Sequence, residues 1–334
     1  MRRRRPGLVC GLAVIALMAT TPPALAANPS GEPRIGISGA KLRASLHCQP
    51  SVRDAKRTPI LLVTGTGVDG REAWPFGLQL TLTAARRPSC YVEFPEHTTA
   101  DIQVSVQYLV HAIRATAKRA GRRIAVYGVS QGGLLPRWAL TYWPSLRRLV
   151  TDVVAVAGTQ HGTTVFGGLF AVCGSNCRLT AAAWQQVAGA KLQDALANYP
   201  DETPGRTAWT TVRSLDDEIV QPTSGLNPTS SLRGASNLVI QRVCPGRVVN
   251  HITTGADSVS YAALIDAVTH RGPAASRRLS PGVCSRPFAP VLDEQQLRAA
   301  INALIGIAAA RTFDGADGTK LLSAEPPVRA YARR

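Results

Sequence analysis

Ser130 has the sequence context of a catalytic nucleophile. It stands in the pentapeptide Gly128-Val-Ser-Gln-Gly132, between an apolar run at 124–127 that predicts a buried strand and a segment at 133–143 that predicts a helix. A serine on such a sharp turn presents its hydroxyl at the C-terminal edge of a parallel sheet, and flanking glycines permit the tight backbone. The start of the helix also favours negative charge near the hydroxyl. The alternative is an ordinary glycine-rich turn, so the assignment requires a base and an acid.

The acid is expected in the segment that follows a predicted strand at 208–213. A catalytic serine needs a base, usually histidine, which a buried carboxylate orients. On the α/β-hydrolase fold these groups follow one another in the order serine, acid, histidine, each just past the C-terminal end of a strand. Residues 214–222 offer Asp216, Asp217 and Glu218 at such a position. Spacing alone leaves the three carboxylates as alternatives.

His251 is the histidine that fits this order. It follows a predicted strand at 237–243 and precedes a predicted helix at 258–270. His161 is the main rival, because it also follows a predicted strand, but it would require the order serine, histidine, acid. His270 is expected in the last turn of a helix, where a cation near the carbonyl groups is common. The remaining histidines precede the serine: His47, His97 and His111.

Two segments can supply donors for the oxyanion that forms when a serine attacks an ester carbonyl. One donor is the backbone N–H of Gln131, the residue after the nucleophile. The second is expected from Thr64-Gly-Thr-Gly67, directly after the first predicted strand at 59–63, with Thr66 adding its hydroxyl. A simple turn is the alternative interpretation of this loop.

The elements that must position these residues alternate between strands and helices. This alternation predicts an α/β fold with a mostly parallel central sheet and helices on both faces, in three layers. The clearest helix is predicted at 101–120, capped by Asp101. We expect residues 27–334 to form a single α/β-hydrolase domain, with an irregular arm at 27–57 and a small apolar cap segment around 158–190. Further strands are predicted at 90–94 and 153–157, and further helices at 73–85, 180–198 and 293–311.

The N-terminus predicts an export signal at 1–26. It combines four arginines at 2–5, an apolar stretch at 8–18 and the cleavage pattern Ala24-Leu-Ala26, and the stretch is too short to span a membrane comfortably. We therefore expect a secreted protein with no transmembrane segment in the mature chain. Removing the four arginines from 38 Lys and Arg leaves 34 against 21 Asp and Glu, a net charge of +13. The arginines are scattered without interleaved aromatic residues, so we do not expect nucleic acid as a partner.

Six cysteines remain once the signal is set aside: Cys48, Cys90, Cys173, Cys177, Cys244 and Cys284. An even number in an exported chain predicts disulfides, but their number alone does not choose among the many possible pairings. A zinc site opened by Cys173 and Cys177 is the alternative, although no second close pair of cysteine or histidine residues follows them.

Six segments resemble the secreted lipases of the Candida antarctica lipase B type. They are the first strand with its loop, the nucleophile turn, a Trp-Gln-Gln segment, the acid-bearing segment, the segment around the histidine, and the C-terminus. In order, they lie at 59–67, 129–133, 184–186, 217–222, 243–251 and 325–333. The acid-bearing segment is the most specific of them, and it selects Asp217 over Asp216. The resemblance covers roughly residues 45–333.

The resemblance implies specific roles for residues of this chain. The implied catalytic triad is Ser130, Asp217 and His251. The implied oxyanion donors are Thr66 and Gln131. The implied disulfides are Cys48–Cys90 and Cys244–Cys284, which leaves Cys173–Cys177 as a local pair.

The substrate pocket is expected beside the nucleophile. We assign four residues to it: Val129, Gln186, Ile219 and Val220. The family has tryptophan where this chain has Val129, which should open the side of the pocket that holds the alcohol. The family's acidic residue after the next strand is replaced around Thr159, and its last disulfide has no counterpart because no cysteine follows Cys284.

Together these features predict a secreted serine ester hydrolase, a triacylglycerol lipase or carboxylesterase that forms an acyl-enzyme on Ser130. The expected partner is a lipid or ester substrate at a lipid–water interface, and we expect a monomer that needs no metal and no other cofactor. Two alternatives stay open. One is an envelope acyltransferase that uses the same acyl-enzyme, and the other is a non-catalytic lipid-binding protein on a hydrolase fold.

Overall fold

The fold is organised around a sheet of seven strands. The computed structural model describes residues 31–290 and 293–333, apart from the side chains of 169–171 and 175, so the predicted export signal lies outside the described residues. The strands in these ranges are β1 Leu46–Cys48, β2 Ile60–Val63, β3 Ser89–Val92, β4 Ile124–Val129, β5 Val150–Val156, β6 Leu179–Thr180, β7 Ala208–Arg213, β8 Ser236–Val239 and β9 Leu321–Leu322.

The α-helices of the same ranges connect and cover these strands. They are α1 Gly39–Ala44, α2 Gly70–Ala73, α3 Leu78–Ala84, α4 Ile102–Ala120, α5 Gln131–Tyr142, α6 Thr164–Cys173, α7 Ala181–Gln185, α8 Lys191–Ala197, α9 Ile240–Val243, α10 His251–Thr254, α11 Ser258–Thr269 and α12 Glu294–Ala309. None of the helices in this part of the chain is long and apolar enough to cross a membrane.

The order of strands brings the predicted site residues to one edge of the sheet. The order is β1-β3-β2-β4-β5-β7-β8, and every neighbouring pair is parallel except β1 with β3. The carboxyl ends of β2, β4, β5 and β7 therefore lie along the same edge. The loops that leave these ends carry Thr66, Ser130, Thr159 and Asp217, in that order. This is where open α/β sheets bind their ligands.

Both faces of the sheet are buried, which makes the fold a three-layer α/β structure, as predicted. In β2, Leu61 and Val63 join the apolar cluster formed with α4 and α5, while Ile60 and Leu62 join the cluster formed with α3 and α11. Side chains of a strand point alternately to the two faces, so a strand covered on both faces is apolar throughout. This explains the continuous apolar runs that predicted the strands.

The long helix α4 confirms the prediction made from its apolar face and caps. Asp101 accepts a hydrogen bond from the Gln103 N–H at its start, and Gly121 ends it in the left-handed conformation, with φ of 64°. A carboxylate that accepts from the first free N–H groups is a stabilising cap. The helix packs beside α5, the helix that follows Ser130.

The prediction of an irregular arm at 27–57 is wrong, because this segment contains α1 and β1. Strand β1 adds to the edge of the sheet by antiparallel pairing with β3, where Cys48 lies opposite Cys90. The strand has three residues, and its pairing partner is about forty residues away in the chain. A pairing of this kind leaves no local periodicity in the sequence.

Three predicted elements are shorter than expected. The strand predicted at 237–243 ends at Val239, because its neighbour β7 ends at Arg213, directly opposite, and the chain turns into α9. The helix predicted at 180–198 divides into α7 and α8, with Gly189 between them in the left-handed region at φ of 80°. The helix predicted at 73–85 divides into α2 and α3 around Pro75 and Gly77. Glycine and proline both weaken a continuing helix.

The segment at 158–190, where the sequence predicts an apolar cap, is tied to the C-terminal part of the chain. Strand β6 pairs antiparallel with β9, and the Trp184 indole N–H donates to the carbonyl of Leu322 at 3.0 Å. Phe166 of α6 meets Phe313 edge to face, with ring centroids 5.8 Å apart. Residues far apart in sequence thus build one small apolar cluster.

Three disulfides join Cys48 to Cys90, Cys173 to Cys177 and Cys244 to Cys284. These are the pairs that the resemblance implies, so Cys173 and Cys177 bind each other and are not thiolate ligands of a zinc ion. The first links the edge strand β1 to β3. The third links the end of α9 to the segment after α11, close to the loop that leads to His251.

Replacing Cys48 and Cys90 together by alanine should lower the free energy of unfolding by about 4 kcal/mol. Their bond closes a loop of 42 residues and so lowers the conformational entropy of the unfolded chain. The matched double substitution at Cys173 and Cys177, which are four residues apart, should cost far less. Denaturant unfolding followed by tryptophan fluorescence measures both losses. Equal losses in the two variants would contradict the loop-entropy explanation.

Candidate active site

Ser130 sits on a strained turn between β4 and α5. Its backbone has φ of 57° and ψ of −125°, a region that side-chain-bearing residues rarely adopt, and its N–H donates to the carbonyl of Val156 at 2.9 Å. A Cβ on Gly128 would lie 1.9 Å from the carbonyl oxygen of Gly132, and a Cβ on Gly132 would lie 2.3 Å from that of Val63. Neither position has room for a side chain. Strain of this kind is concentrated at functional sites, where surrounding contacts maintain it.

His251 and Asp217 form a buried pair at the carboxyl edge of the sheet. Nδ1 of His251 lies 2.9 Å from Oδ2 and 3.1 Å from Oδ1 of Asp217, and the two side chains are 4% and 1% exposed. Oδ1 also accepts hydrogen bonds from the N–H groups of Ile219 and Val220, at 2.9 and 2.8 Å. An ionised carboxylate only accepts hydrogen bonds, so Nδ1 carries the imidazole proton and Nε2 is the free acceptor.

The neighbouring carboxylates have other roles, which spacing alone does not reveal. Oε2 of Glu218 accepts from the backbone N–H of His251 at 2.9 Å, and so fixes the start of α10. Oδ2 of Asp216 accepts from the N–H of Val249 at 3.2 Å and from Gln241 at 3.0 Å. Of the three candidates, Asp217 is therefore the one bound to the imidazole. Asp216 and Glu218 bind the backbone N–H groups of Val249 and of His251 itself.

Ser130 and His251 line the same cavity, which has a volume of about 260 Å³. The lining residues include Thr66, Val129, Gln186 and Ile219, which the sequence placed in the site or its pocket. Val220, also expected in the pocket, is buried with its N–H bound to Asp217, and it is not among the described residues that line the cavity. The remaining walls are largely apolar, and helices α3, α6 and α12 contribute Leu78, Phe166, Leu297, Ile301 and Leu304 to them.

A network of neutral hydrogen bonds holds the predicted oxyanion donors. The Thr66 hydroxyl donates to Oε1 of Gln131 at 2.7 Å, and Nε2 of Gln186 donates to the Thr66 hydroxyl at 2.8 Å. The Thr159 hydroxyl donates to Oε1 of Gln186 at 2.9 Å, and Nε2 of Gln186 also donates to the carbonyl of Ala182 at 3.0 Å. These last two bonds fix which way the Gln186 amide points. Thr159 and Gln186 therefore position Thr66, a role that the sequence does not reveal for Thr159.

The predicted oxyanion loop, residues 64–67, is also held by an unusual turn before α4. Glu96, His97 and Thr98 have consecutive φ values of 53°, 54° and 65°. The buried Thr98 hydroxyl donates to the carbonyl of Val68 at 2.9 Å and lies 3.3 Å from the Thr64 hydroxyl. Left-handed backbone costs about 1–2 kcal/mol per residue when a side chain is present. The contacts that this turn gives Thr98 with the loop carrying Thr66 offset part of that cost.

The rival histidine His161 has other partners. Its Nδ1 lies 3.1 Å from the carbonyl oxygen of Thr229, and its Nε2 lies 3.4 Å from Oε1 of Glu202. Burial acts to raise the pKa of the Glu202 carboxyl, but hydrogen bonds from His161 and from the Arg233 N–H lower it to about 2. Glu202 is thus a carboxylate that His161 and Arg233 both bind. Both ring nitrogens of His161 have partners other than Ser130.

Comparison with known proteins agrees with this geometry. No family model matches the chain. The chain is 32% identical to Lipase B of Pseudozyma antarctica, formerly Candida antarctica, over 332 residues, which covers 96% of this chain and 92% of that protein. The crystal structure of Aspergillus fumigatus lipase B is 28% identical, with a TM-score of 0.82 over 95% of this chain and 77% of that one.

A more distant structure is similar in fold alone. The propeptide form of the Bacillus licheniformis lipase BlEst2 is 15% identical, with a TM-score of 0.52 over 69% of this chain and 54% of that one. The identity to Lipase B over nearly the whole of both chains is what determines the family. The chain belongs to the lipase B family, and it is a carboxylic ester hydrolase with the α/β-hydrolase fold.

Proposed function

We propose that this protein is an exported lipase that hydrolyses acylglycerol esters through an acyl-enzyme on Ser130. The observation that carries the proposal is the buried Asp217–His251 pair, which lines the same apolar cavity as the strained Ser130. An apolar cavity with a few polar groups at the reacting end suits an ester with long hydrocarbon groups. The family membership of the chain supports the same reaction class.

In the proposed reaction, Nε2 of His251 takes the proton from the Ser130 hydroxyl as its oxygen attacks the ester carbonyl. Asp217 keeps the imidazole in the tautomer with Nδ1 protonated and stabilises the imidazolium that forms. The Gln131 N–H, at the start of α5, and the Thr66 hydroxyl donate to the carbonyl oxygen as it becomes negative. The imidazolium then protonates the leaving alcohol, and the acyl group stays on Ser130.

In the second half of the proposed cycle, water hydrolyses the acyl-enzyme with the help of the same residues. His251 removes a proton from a water molecule, which attacks the acyl-enzyme. The imidazolium then returns that proton to the Ser130 oxygen as the tetrahedral intermediate collapses and releases the fatty acid. The Thr66 hydroxyl, which donates to Gln131 in the free protein, turns its hydrogen toward the oxyanion during each step. Gln186 continues to donate to the Thr66 oxygen, so the hydroxyl rotates without losing its position.

Export is part of the proposal and rests on two observations. The N-terminal sequence has the charged, apolar and cleavage segments of a signal peptide. The described part of the chain contains three disulfides, which persist in oxidising compartments. We further propose that residues 158–190 act as a small cap over the cavity, since Phe166 lines it.

Ser130→Ala should lower kcat for p-nitrophenyl esters by about 10⁴-fold or more and leave the melting temperature nearly unchanged, because the nucleophile is removed without disturbing the fold. His251→Ala should have a comparable effect on kcat. The control His161→Gln should retain near-normal turnover, since its imidazole is engaged with Glu202. Near-normal turnover in Ser130→Ala, or a loss in His161→Gln that matches His251→Ala, would contradict the assignment.

Labelling by a fluorophosphonate separates the hydrolase from a non-catalytic lipid-binding protein. Stoichiometric labelling at Ser130, found by peptide mapping, is the expected result. Assays of wild-type protein on emulsified triglyceride, with and without an added alcohol acceptor, then separate hydrolysis from acyl transfer. Free fatty acid as the main product supports the lipase, and an acylated acceptor as the main product in water would favour the transferase.

Val129→Trp should change the discrimination between enantiomers of a bulky secondary alcohol ester. Val129 lines the cavity at the end of β4, and its methyl groups face Gly255, where a Cβ would lie 3.0 Å from one of them. Filling such space alters kcat/KM ratios by roughly 10–200-fold per small group. Val129→Ala is the matched control and should enlarge the pocket without increasing discrimination. Unchanged enantiomer ratios in a Val129→Trp variant of normal melting temperature would show that the substrate does not meet this residue.

A further inference from the structure

Arg311 is a buried guanidinium at the end of the helix that covers the cavity. Helix α12 lines the cavity with residues such as Leu297, Ile301 and Leu304, and it continues into one wider turn, Ala310–Asp314. Arg311 lies in that wider turn and is 6% exposed. Wide turns of this type are frequent at functional sites. None of the catalytic roles described above uses Arg311.

Arg311 binds two acidic side chains and one backbone carbonyl. Nη1 and Nη2 donate to the two oxygens of Glu72 at 2.8 and 3.0 Å, and Nε donates to Asp317 at 2.7 Å. Nη1 also donates to the carbonyl oxygen of Gly67 at 3.1 Å. Hydrogen bonding to Glu72 raises the pKa of Arg311 above its ordinary value. Paired planar contacts of this kind fix direction as well as distance.

The backbone of the oxyanion loop touches the end of α12 at the same place. Gly67 has φ of 77°, and a Cβ there would lie 2.6 Å from the carbonyl oxygen of Ala308 and 2.8 Å from its Cα. The loop that carries Thr66 is therefore in direct contact with the helix, with no side chain between them. On the other side, Thr98 binds the next carbonyl, that of Val68. The two successive carbonyls that follow Thr66 thus accept hydrogen bonds from two different elements: that of Gly67 from Arg311, and that of Val68 from Thr98.

We propose that Arg311 is a positioning residue for the oxyanion hole: it holds the Gly67 carbonyl and Glu72, and so fixes Thr66 relative to Ser130 and to the covering helix. The inference rests on the proposed function and adds a residue to it. Glu72 also binds the backbone that follows Gly67, since its Oε2 accepts a hydrogen bond from the N–H of Asp69 at 2.9 Å. Burial alone would raise the pKa of Glu72, but the hydrogen bonds from Arg311 and Asp69 keep it below its usual value.

The test compares Arg311→Met and Arg311→Lys with the control Arg278→Met. Arg278 makes a similar two-pronged ion pair, with Asp266, and lines a different groove beside α11. Each variant is assayed for kcat and KM on p-nitrophenyl butyrate, for the rate and final extent of Ser130 phosphonylation by a fluorophosphonate, and for its melting temperature. The final extent counts folded sites, and the rate reports on the oxyanion hole.

Arg311→Met should lower kcat and the phosphonylation rate by about 10–100-fold, part of the loss expected when an oxyanion donor is removed, with KM changed by less than about threefold. Arg311→Lys, which keeps a donor, should recover part of the rate. Arg278→Met should change kcat by less than about twofold. Adding Thr66→Ala should make the Arg311→Met effect at least about threefold smaller, because residues that act through one group are not additive.

Unchanged kcat and phosphonylation rate in folded Arg311→Met, with only a lower melting temperature, would overturn the inference and leave the lipase proposal intact. If Arg311→Met does not fold, Arg311→Lys and Glu72→Gln decide, and wild-type rates in both would overturn it. Wild-type protein that is neither phosphonylated at Ser130 nor active on esters would overturn the proposed function, and this inference with it.

Discussion

The site depends on the close approach of three backbone segments at the carboxyl edge of the sheet. The turn before α5, the end of β2 and the loop after it are packed against one another without intervening side chains. A Cβ on Gly65 would lie 2.9 Å from the Cβ of Ser130, and one on Gly132 would lie 2.3 Å from the carbonyl oxygen of Val63 and 2.5 Å from that of Thr64. Van der Waals contact between main chains therefore sets the distance between Ser130 and the loop that carries Thr66. Because such contacts are stiff, the oxyanion donors that we propose are in place before a substrate arrives, which is the basis of electrostatic preorganisation.

Around this steric centre, buried polar groups are satisfied in two different ways. The charged group, Asp217, has two backbone N–H donors and the imidazole of His251, which offset the cost of removing a carboxylate from water. The oxyanion side uses hydroxyl and amide groups of Thr159, Gln186 and Thr66, which do not ionise. The hydrogen-bonding side chains around Thr66 are therefore dipoles that carry no charge, and they keep their orientation over a wide range of pH.

Those parts of the site that depend on neighbouring strands and helices could be predicted from the sequence. The strand and helix around Ser130 predicted the strained turn, and the position of His251 after a strand predicted that it lies at the same edge of the sheet as Ser130. Choosing Asp217 over Asp216 required the resemblance, because both follow β7 and only the course of the backbone decides which carboxyl faces the imidazole. The sequence does not predict the residues that support the site, for a different reason. Contacts such as Thr159 with Gln186, or Arg311 with Gly67, join residues 27 and 244 positions apart, and neither end carries a local signature.

The ends of the sheet have a consequence for behaviour in concentrated solution. One edge is the three-residue strand β1, pinned in register by the Cys48–Cys90 bond, and the other is the four-residue strand β8, which turns at once into α9. An edge strand presents unpaired N–H and C=O groups on which another molecule can add a strand, and short edges limit how many such groups are available. On droplets of an emulsified acylglycerol, the substrate that we propose, the protein would meet its own copies at high local density. Edges of this length give those copies little backbone to pair with, so crowding on the droplet would favour separate molecules over β-aggregates.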